Sequence, residues 1–382
     1  MLDRAGTQTV REVHPPLIIR RVDAIPVALP LKKPMKMAGV TIAHAENLLV
    51  RIEAAQGLVG WGEAASAPTM TGDTLGGLVA AVRDHLAPLL IGQDAWARAA
   101  LTATLRKALI GNTGAHSAVE MALLDLSGQA AGLPLFALLG NVTHRDAVAP
   151  MWLLGNATPE QDIAEARAKE REGFRFFKLK IATKPLAEEI AGTLALREAL
   201  GPNVPLCADA NGGLSPSDAR TYLQNTRTAD LMFVEQPLDA HDLEGLAELT
   251  RASPIPIGAD EGIHSLADIT AHAQRGAGGV SLKLIKLGGM STALEAAALC
   301  GRLGLSINVA AKIAESSIAT AAAVHLACAA PSADWGVSLT HFYLAGDLVR
   351  EPLPLQDGRV ALPAASGLGI DVDEAAVERM RV

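Results

Sequence analysis

The chain has 382 residues, with 33 Lys and Arg against 41 Asp and Glu, a net charge of −8 with histidine neutral. Hydrophobic residues make up 49% of it and charged residues only 19%, which excludes a largely disordered chain and allows two or three structural units. The acidic balance lacks the electrostatic footprint of a nucleic-acid or anionic-membrane partner, so neither is expected.

In chain order, residues 1–16 are polar and charged, without the apolar region of a signal peptide. Residues 17–29 and 46–64 read as antiparallel strands, the second segment turning around Gly57. The polar connection 31–44 reads as a mobile flap, with Met37 and residues 65–70 shaping a pocket. Helical segments follow at 76–90, 95–109 and 115–132. From Ala147 the pattern changes: β-rich runs at 147–155, 175–181, 204–210, 231–236, 255–260, 279–285 and 305–310 recur every 23–30 residues or so. Helical runs lie between them, several opened by Ser, Asp or Pro, as N-cap and first-turn positions favour. Seven such units fit a (β/α)8-type barrel whose last unit is altered. A doubly wound sheet is the competing architecture, but no G-x-G-x-x-G follows the first strand. The uncharged stretch 316–333 is diluted by Ser, Thr, Pro and His325, and reads as a buried helix rather than a membrane span. Cys207, Cys300 and Cys328 lie in apolar runs and read as core residues, which suits a reducing cytoplasm. The expected units are an α+β domain over 1–146, a barrel over 147–333, and a last strand with a tail over 334–382 that returns to the first domain.

Charge inside apolar strands carries the chemistry. Lys178 and Lys180 stand two apart, so both project from one strand face, and two such ammonium groups should depress one another's pKa. An exposed edge pair is the alternative. Asp209, Glu235 and Asp260 each end an apolar run before a loop, on three consecutive strands, so all three reach one rim. Three converging carboxylates repel unless a cation lies between them, and all-oxygen ligation suits Mg2+ or Mn2+. Any one of them alone could simply cap the following helix. Lys283 supplies a further inward ammonium across the barrel from Lys180, whereas Lys286 is expected to meet solvent or a phosphate-like group.

Together these residues resemble the enolase superfamily, specifically the muconate-lactonising subgroup of its mandelate racemase/muconate-lactonising branch. The resemblance is carried by K-x-K at Lys178–Lys180, D-A-N at Asp209–Asn211, E-Q-P at Glu235–Pro237, A-D-E at Ala259–Glu261 and L-K-x-x-K-x-G-G at Leu282–Gly289. Gly60-Trp61-Gly62-Glu63 and Ala314-Glu315-Ser316-Ser317-Ile318 extend it over nearly the whole chain. It implies an α/β fold, a modified TIM barrel of (β/α)7β form under an N-terminal α+β capping domain. It implies Mg2+ (with Mn2+ as the alternative) on Asp209, Glu235 and Asp260, a small-molecule carboxylate as substrate, and a cytoplasmic homo-oligomer. Lys180 or Lys283 would take the proton beside the substrate carboxylate through a metal-stabilised enolate, with Lys178 assisting. Isomerase chemistry, as a cycloisomerase or an amino-acid-derivative racemase or epimerase, leads over dehydration of a hydroxy acid or hydroxyproline-type substrate. A catalytically silent barrel acting as a binding protein is the reading from another class.

Asn211, Glu261 and Glu315 stand beside these motifs as expected substrate or supporting residues. The sequence departs from the subgroup at the eighth strand. Ser338 stands where lactonising members carry a carboxylate, and the D-x-D of dipeptide epimerases is absent. Residues 335–343 therefore read as a specificity wall of this chain's own. Trp335 reads first as a core residue, with stacking on a cationic substrate as the alternative.

Overall fold

A computed structural model describes residues 15–37, 40–140, 143–155 and 158–382, without the side chains of residues 36, 37, 40 and 41. Three antiparallel strands, β1 (Ile19–Met37), β2 (Val40–Ala54) and β3 (Val59–Ala65), open it. The described residues of the segment 31–44 lie in strands rather than a free flap, and residues 38 and 39 fall outside the description. β1 and β2 stay paired out to Met37 and Val40, with one register shift between Pro30 and Met35. Strand pairing at Met35–Met37 and a bridge from Leu31 to Leu344 hold much of this backbone, so polarity alone is a poor guide to a loop here. The side chain of Met37, expected near the pocket, lies outside the described residues.

The sheet packs on the helix Thr113–Ala131, most of whose residues are buried. Gly60 and Gly62 alternate along β3 and face that helix at backbone contact. A Cβ on Gly62 would lie 1.9 Å from the Ala118 carbonyl oxygen, and one on Gly60 would lie 2.2 Å from that of Ala122. Gly62→Ala should therefore force helix and sheet apart, at a cost of about 1–3 kcal/mol or more. Urea unfolding followed by circular dichroism measures this, and an unchanged midpoint would show that the helix can yield freely.

Eight parallel strands follow the small β4 (Ala147–Val148): β5 (Met151–Leu154), β6 (Phe176–Lys180), β7 (Leu206–Asp209), β8 (Val234–Glu235), β9 (Ile257–Ala259), β10 (Gly279–Leu282), β11 (Ser306–Ala310) and β12 (Val337–Ser338). They lie side by side in chain order, and a parallel bridge from Pro150 to Val337 joins the two ends into a ring. A helix follows each of the first seven strands, whereas β12 leads into only a short 3-10 turn at His341–Tyr343 and the irregular tail, whose one α-helix is Glu374–Met380, giving the (β/α)7β form. Helix starts obey local chemistry. Thr158 and Gln161 make a capping box, and the Ser215, Asp242 and Ser265 side chains accept from first-turn amides. The run 147–155 divides at Pro150, which cannot donate to a ladder, and β4 pairs instead with β13 (Val360–Ala361). The run 279–285 stops at Leu282 because Leu284–Leu287 coils into a helical turn.

Met151, Phe176, Cys207, Phe233 and Trp335 form the barrel floor. The Trp335 indole stacks on Phe233, with ring centroids 4.1 Å apart and planes 5° from parallel. It occupies space that two strands leave open, since a Cβ on Gly258 or Gly279 would lie 2.7 or 2.6 Å from its ring. Trp335 is therefore the core residue the sequence favours, and not the substrate contact that was its alternative. Beyond β12 the chain is irregular and runs back to β1, bridging Leu344 to Leu31 and Arg381 to Val27. Among the described residues no helix is long and apolar enough to cross a membrane.

Candidate active site

Strand register builds the site. Lys180, Asp209 and Glu235 are consecutive Cα partners across β6, β7 and β8, and Glu235 pairs with Gly258, two residues before Asp260. Lys283 directly follows β10. Five adjacent strands thus deliver an ordered row to the C-terminal mouth: ammonium, three carboxylates, ammonium. β6 and β10 stand four places apart in a ring of eight, so Lys180 and Lys283 face each other across the mouth. Asn211 (φ 44) and Gln236 (φ 36) take left-handed backbone just after Asp209 and Glu235, turning the chain sharply off each strand end. Gln236 then uses its side-chain oxygen to accept from the Asp260 amide at 2.9 Å, tying the second acid's loop to the third.

Every one of these charges is buried. Lys180 donates to Asp209 and to the Asn211 side-chain oxygen, each at 2.5 Å, and Asn211 donates to Glu261 at 2.8 Å. Lys178 pairs with Glu235, which also accepts from Ser281, and Lys283 pairs with Asp260. Lys286, expected in solvent, is wholly buried and lies 2.6 Å from Asp260 Oδ1, because the helical turn after β10 folds it back beneath that carboxylate.

Burial works against ionisation of all these groups, and neighbours decide the outcome. Asp260 is held far below the carboxylate range against burial by Lys283 and Lys286, and Asp209 is held low by Lys180 and Lys178. Glu235 goes the other way, pushed up to about 7 by burial and by repulsion from Asp209 and Asp260, which outweigh Lys178. Lys178 does not behave as expected. Burial favours neutral Lys178, but Glu235 and Asp209 overcome it and raise its pKa. Burial lowers that of Lys286 despite Asp260.

Among the described residues no three Asp, Glu, His or Cys side chains close around one point, since each carboxylate is turned to a lysine. The donor set nonetheless fits a hard divalent cation: three buried carboxylates on adjacent strands, with no sulfur or nitrogen ligand beside them. The pocket above is lined by Lys178, Lys180 and Lys283 with the three acids, by Asn211, by Ser338 from the eighth strand and by Thr340 just after it. Met70 reaches it from the capping domain, within the stretch expected to shape it. His341 does not; it hydrogen-bonds Thr320 and the Leu353 carbonyl. Among the charged lining residues, the sequence does not single out Lys312. Lys312 follows β11 at the same two-residue alternation that singled out Lys178 and Lys180, continuing the series Asn308, Ala310, Lys312.

Glu63 joins the capping domain to the barrel. It accepts from Asn47 at 2.6 Å, from the Ser316 amide at 2.9 Å and hydroxyl at 2.6 Å, and from the Ala319 amide at 2.9 Å, at the start of the helix Ser317–Ala329. Glu315 is buried beside it, and burial with repulsion from Glu63 pushes its carboxyl up to about 8. Between the ordinary 4.5 and this value the folded chain keeps a proton that the unfolded chain has lost, so stability falls as pH rises through that window. Glu315→Gln should remove this loss, gaining up to about 1.4 kcal/mol on wild type per pH unit. Denaturant midpoints at pH 5 and pH 9 test it, and parallel pH slopes would show Glu315 ionised in the fold.

Fold and site together define a capped (β/α)7β-barrel enzyme. Residues 19–140 match the mandelate racemase / muconate lactonizing enzyme N-terminal domain and residues 161–376 the enolase C-terminal domain-like family. The chain belongs to the mandelate racemase/muconate lactonizing enzyme family of the enolase superfamily. It is 34% identical over 380 residues to muconate cycloisomerase 1-2 of Acinetobacter lwoffii, covering 96% of each chain. It is 33% identical over 355 residues to the L-Ala-D/L-Glu epimerase of Bacillus subtilis (strain 168), covering 92% of this chain and 96% of that one. The crystal structure of the muconate lactonizing enzyme of Pseudomonas fluorescens, complexed with muconolactone, matches with a TM-score of 0.92 at 30% identity over 96% of this chain and 100% of that one.

Proposed function

We propose that this enzyme is a Mg2+-dependent isomerase that removes and returns the proton beside a substrate carboxylate, as a racemase or epimerase or as a cycloisomerase. The observation that carries the reading is the placing of Lys180 and Lys283 on opposite sides of one mouth, with three buried carboxylates on the strands between. Relatives named as an epimerase and as cycloisomerases support it.

Asp209, Glu235 and Asp260 would hold the metal, which supplies positive charge to the substrate carboxylate and meets the carboxylate charge now turned to the lysines. Ionising a carbon acid beside a carboxylate builds a second negative charge on the same oxygens, so fixed cations stabilise the transition state more than the ground state. Lys178, buried and raised in pKa by Glu235 and Asp209 against that burial, is suited to provide such a cation beside Lys180. The Lys180 ammonium is steadied by Asn211, itself held by Glu261, and reaches one face of a substrate in the mouth. Lys283 reaches the other face. Removal by one and return by the other inverts the centre. In a cycloisomerase one carboxylate oxygen of an unsaturated diacid would instead add to the carbon–carbon double bond, the broken π bond leaving an enolate beside the other carboxylate that one lysine ammonium then protonates to give the lactone. Ser338 on the eighth strand brings no charge to either outcome.

Incubation with Mg2+ in D2O, against a panel of N-acylated and N-methylated amino acids, hydroxyprolines, dipeptides and muconates, tests the reading. Deuterium uptake at the carbon beside the carboxylate, with isomerised product, is the expected result. Loss of water from a hydroxylated substrate would make the enzyme a dehydratase, and no exchange with any member would leave a binding protein.

A further inference from the structure

The pocket presents one more cation than anion. Three lining lysines each meet a carboxylate, whereas Lys312 lines the same pocket and, among the described residues, makes no ion pair. Its ammonium donates only to the neighbouring Ile313 carbonyl, at 3.2 Å. This half-buried ammonium has one neutral hydrogen-bond acceptor, and burial lowers its pKa although the nearby Glu315 carboxyl works the other way. The backbone that carries it is fixed. Thr340 donates its hydroxyl to the Lys312 carbonyl at 2.7 Å and accepts from the Glu315 amide at 3.0 Å, pinning the loop after β11 to the loop after β12.

Position gives this charge a role. β11 stands four places from β7 in the ring of eight, so Lys312 lies across the mouth from Asp209. A substrate whose reacting carboxylate sits at the three acids must extend its other end toward the β11 and β12 loops. That end meets Lys312, the Ser338 hydroxyl and the apolar Ile313 and Leu339, with no acid among the lining residues there to receive an amine.

We propose that Lys312 is a specificity-determining residue that binds a second anionic group on the substrate, making the substrate a dicarboxylate or an acid of equivalent double charge. The inference rests on the proposed function for the placing of the first carboxylate, and adds the charge class of the distal end.

The test uses acid and amide or ester pairs alike except at the distal group: alanyl-glutamate with alanyl-glutamine, and cis,cis-muconate with its monomethyl ester. Binding to the full-length Mg2+-loaded protein is measured by calorimetry, and deuterium exchange is followed separately. Wild type should bind the acid of at least one pair ten-fold or more tighter than its neutral partner. Lys312→Met should bring that ratio close to one, and Lys312→Glu should reverse it, while circular dichroism confirms the fold of both. A ratio near one in wild type, no binding of any acid, or a ratio unchanged in Lys312→Met would each overturn the assignment. Exchange without an acid preference would sink this inference alone; an acid preference lost with Lys312, but without exchange, would sink only the proposed reaction.

Discussion

Lys180→Ala and Lys283→Ala are each expected to lower turnover by about a thousand-fold, within the range a positioned general acid or base supplies. The two losses should differ in kind. If one lysine serves each face, Lys180→Ala stops deuterium uptake by one configuration of the substrate and Lys283→Ala by the other, and neither variant interconverts them. Carboxylate binding should survive in both, because Lys178 and the three acids remain. The fold should survive too. Asp260 keeps Lys286 at 2.6 Å when Lys283 is removed, and Asp209 keeps the field of Lys178 when Lys180 is removed. A buried carboxylate is thus not left without a counter-charge, the usual cause of collapse when half of a buried pair is deleted. Mass-spectrometric deuterium incorporation from each enantiomer, beside turnover, reads the result. Undiminished turnover in both variants would end the assignment of either lysine as a base.

Trp335→Ala is expected to carry the largest cost in stability, about 3–5 kcal/mol. The indole is buried and stacked flat on Phe233, and it fills the layer that Gly258 and Gly279 leave without side chains. No neighbour can move in, because those two positions have no atoms to offer and the strands are held by their ladders. The cavity would lie directly beneath the charged layer, where the Lys178 ammonium stands 5.9 Å from the Phe233 ring centroid. Trp335→Phe should restore much of the loss. Urea unfolding monitored by far-ultraviolet circular dichroism separates the three proteins, and a loss under about 1 kcal/mol in the alanine variant would show the floor to be held by other contacts.

Much of the architecture was legible because it rests on local rules. Apolar runs with period two, helical runs opened by Thr158, Ser215, Asp242 and Ser265, and near-constant spacing lead to a ring of parallel strands with outer helices. The alternation also showed that Lys178 and Lys180 share a face and that three acids end three consecutive strands. The same rule, carried one step past β11, points at Lys312, which went unnoticed because it stands alone in an alanine-rich stretch. Where single residues misled, a non-local contact was responsible. Polarity suggested a flap at 31–44, but pairing with other segments holds much of its described backbone. Trp335 lies close in sequence to the pocket residues Ser338 and Thr340, yet packs on the floor, in keeping with its reading as a core residue.

By itself, then, the sequence determined which side chains stand at the strand ends and in what order around the ring, since strand period and chain order dictate both. Only the tertiary structure decided which ammonium meets which carboxylate, that Lys286 turns inward beneath Asp260, and that Lys312 forms no ion pair among the described residues. Those outcomes depend on burial and on distances between segments far apart in the chain, where the energy of a charge is set by its neighbours in space rather than in sequence.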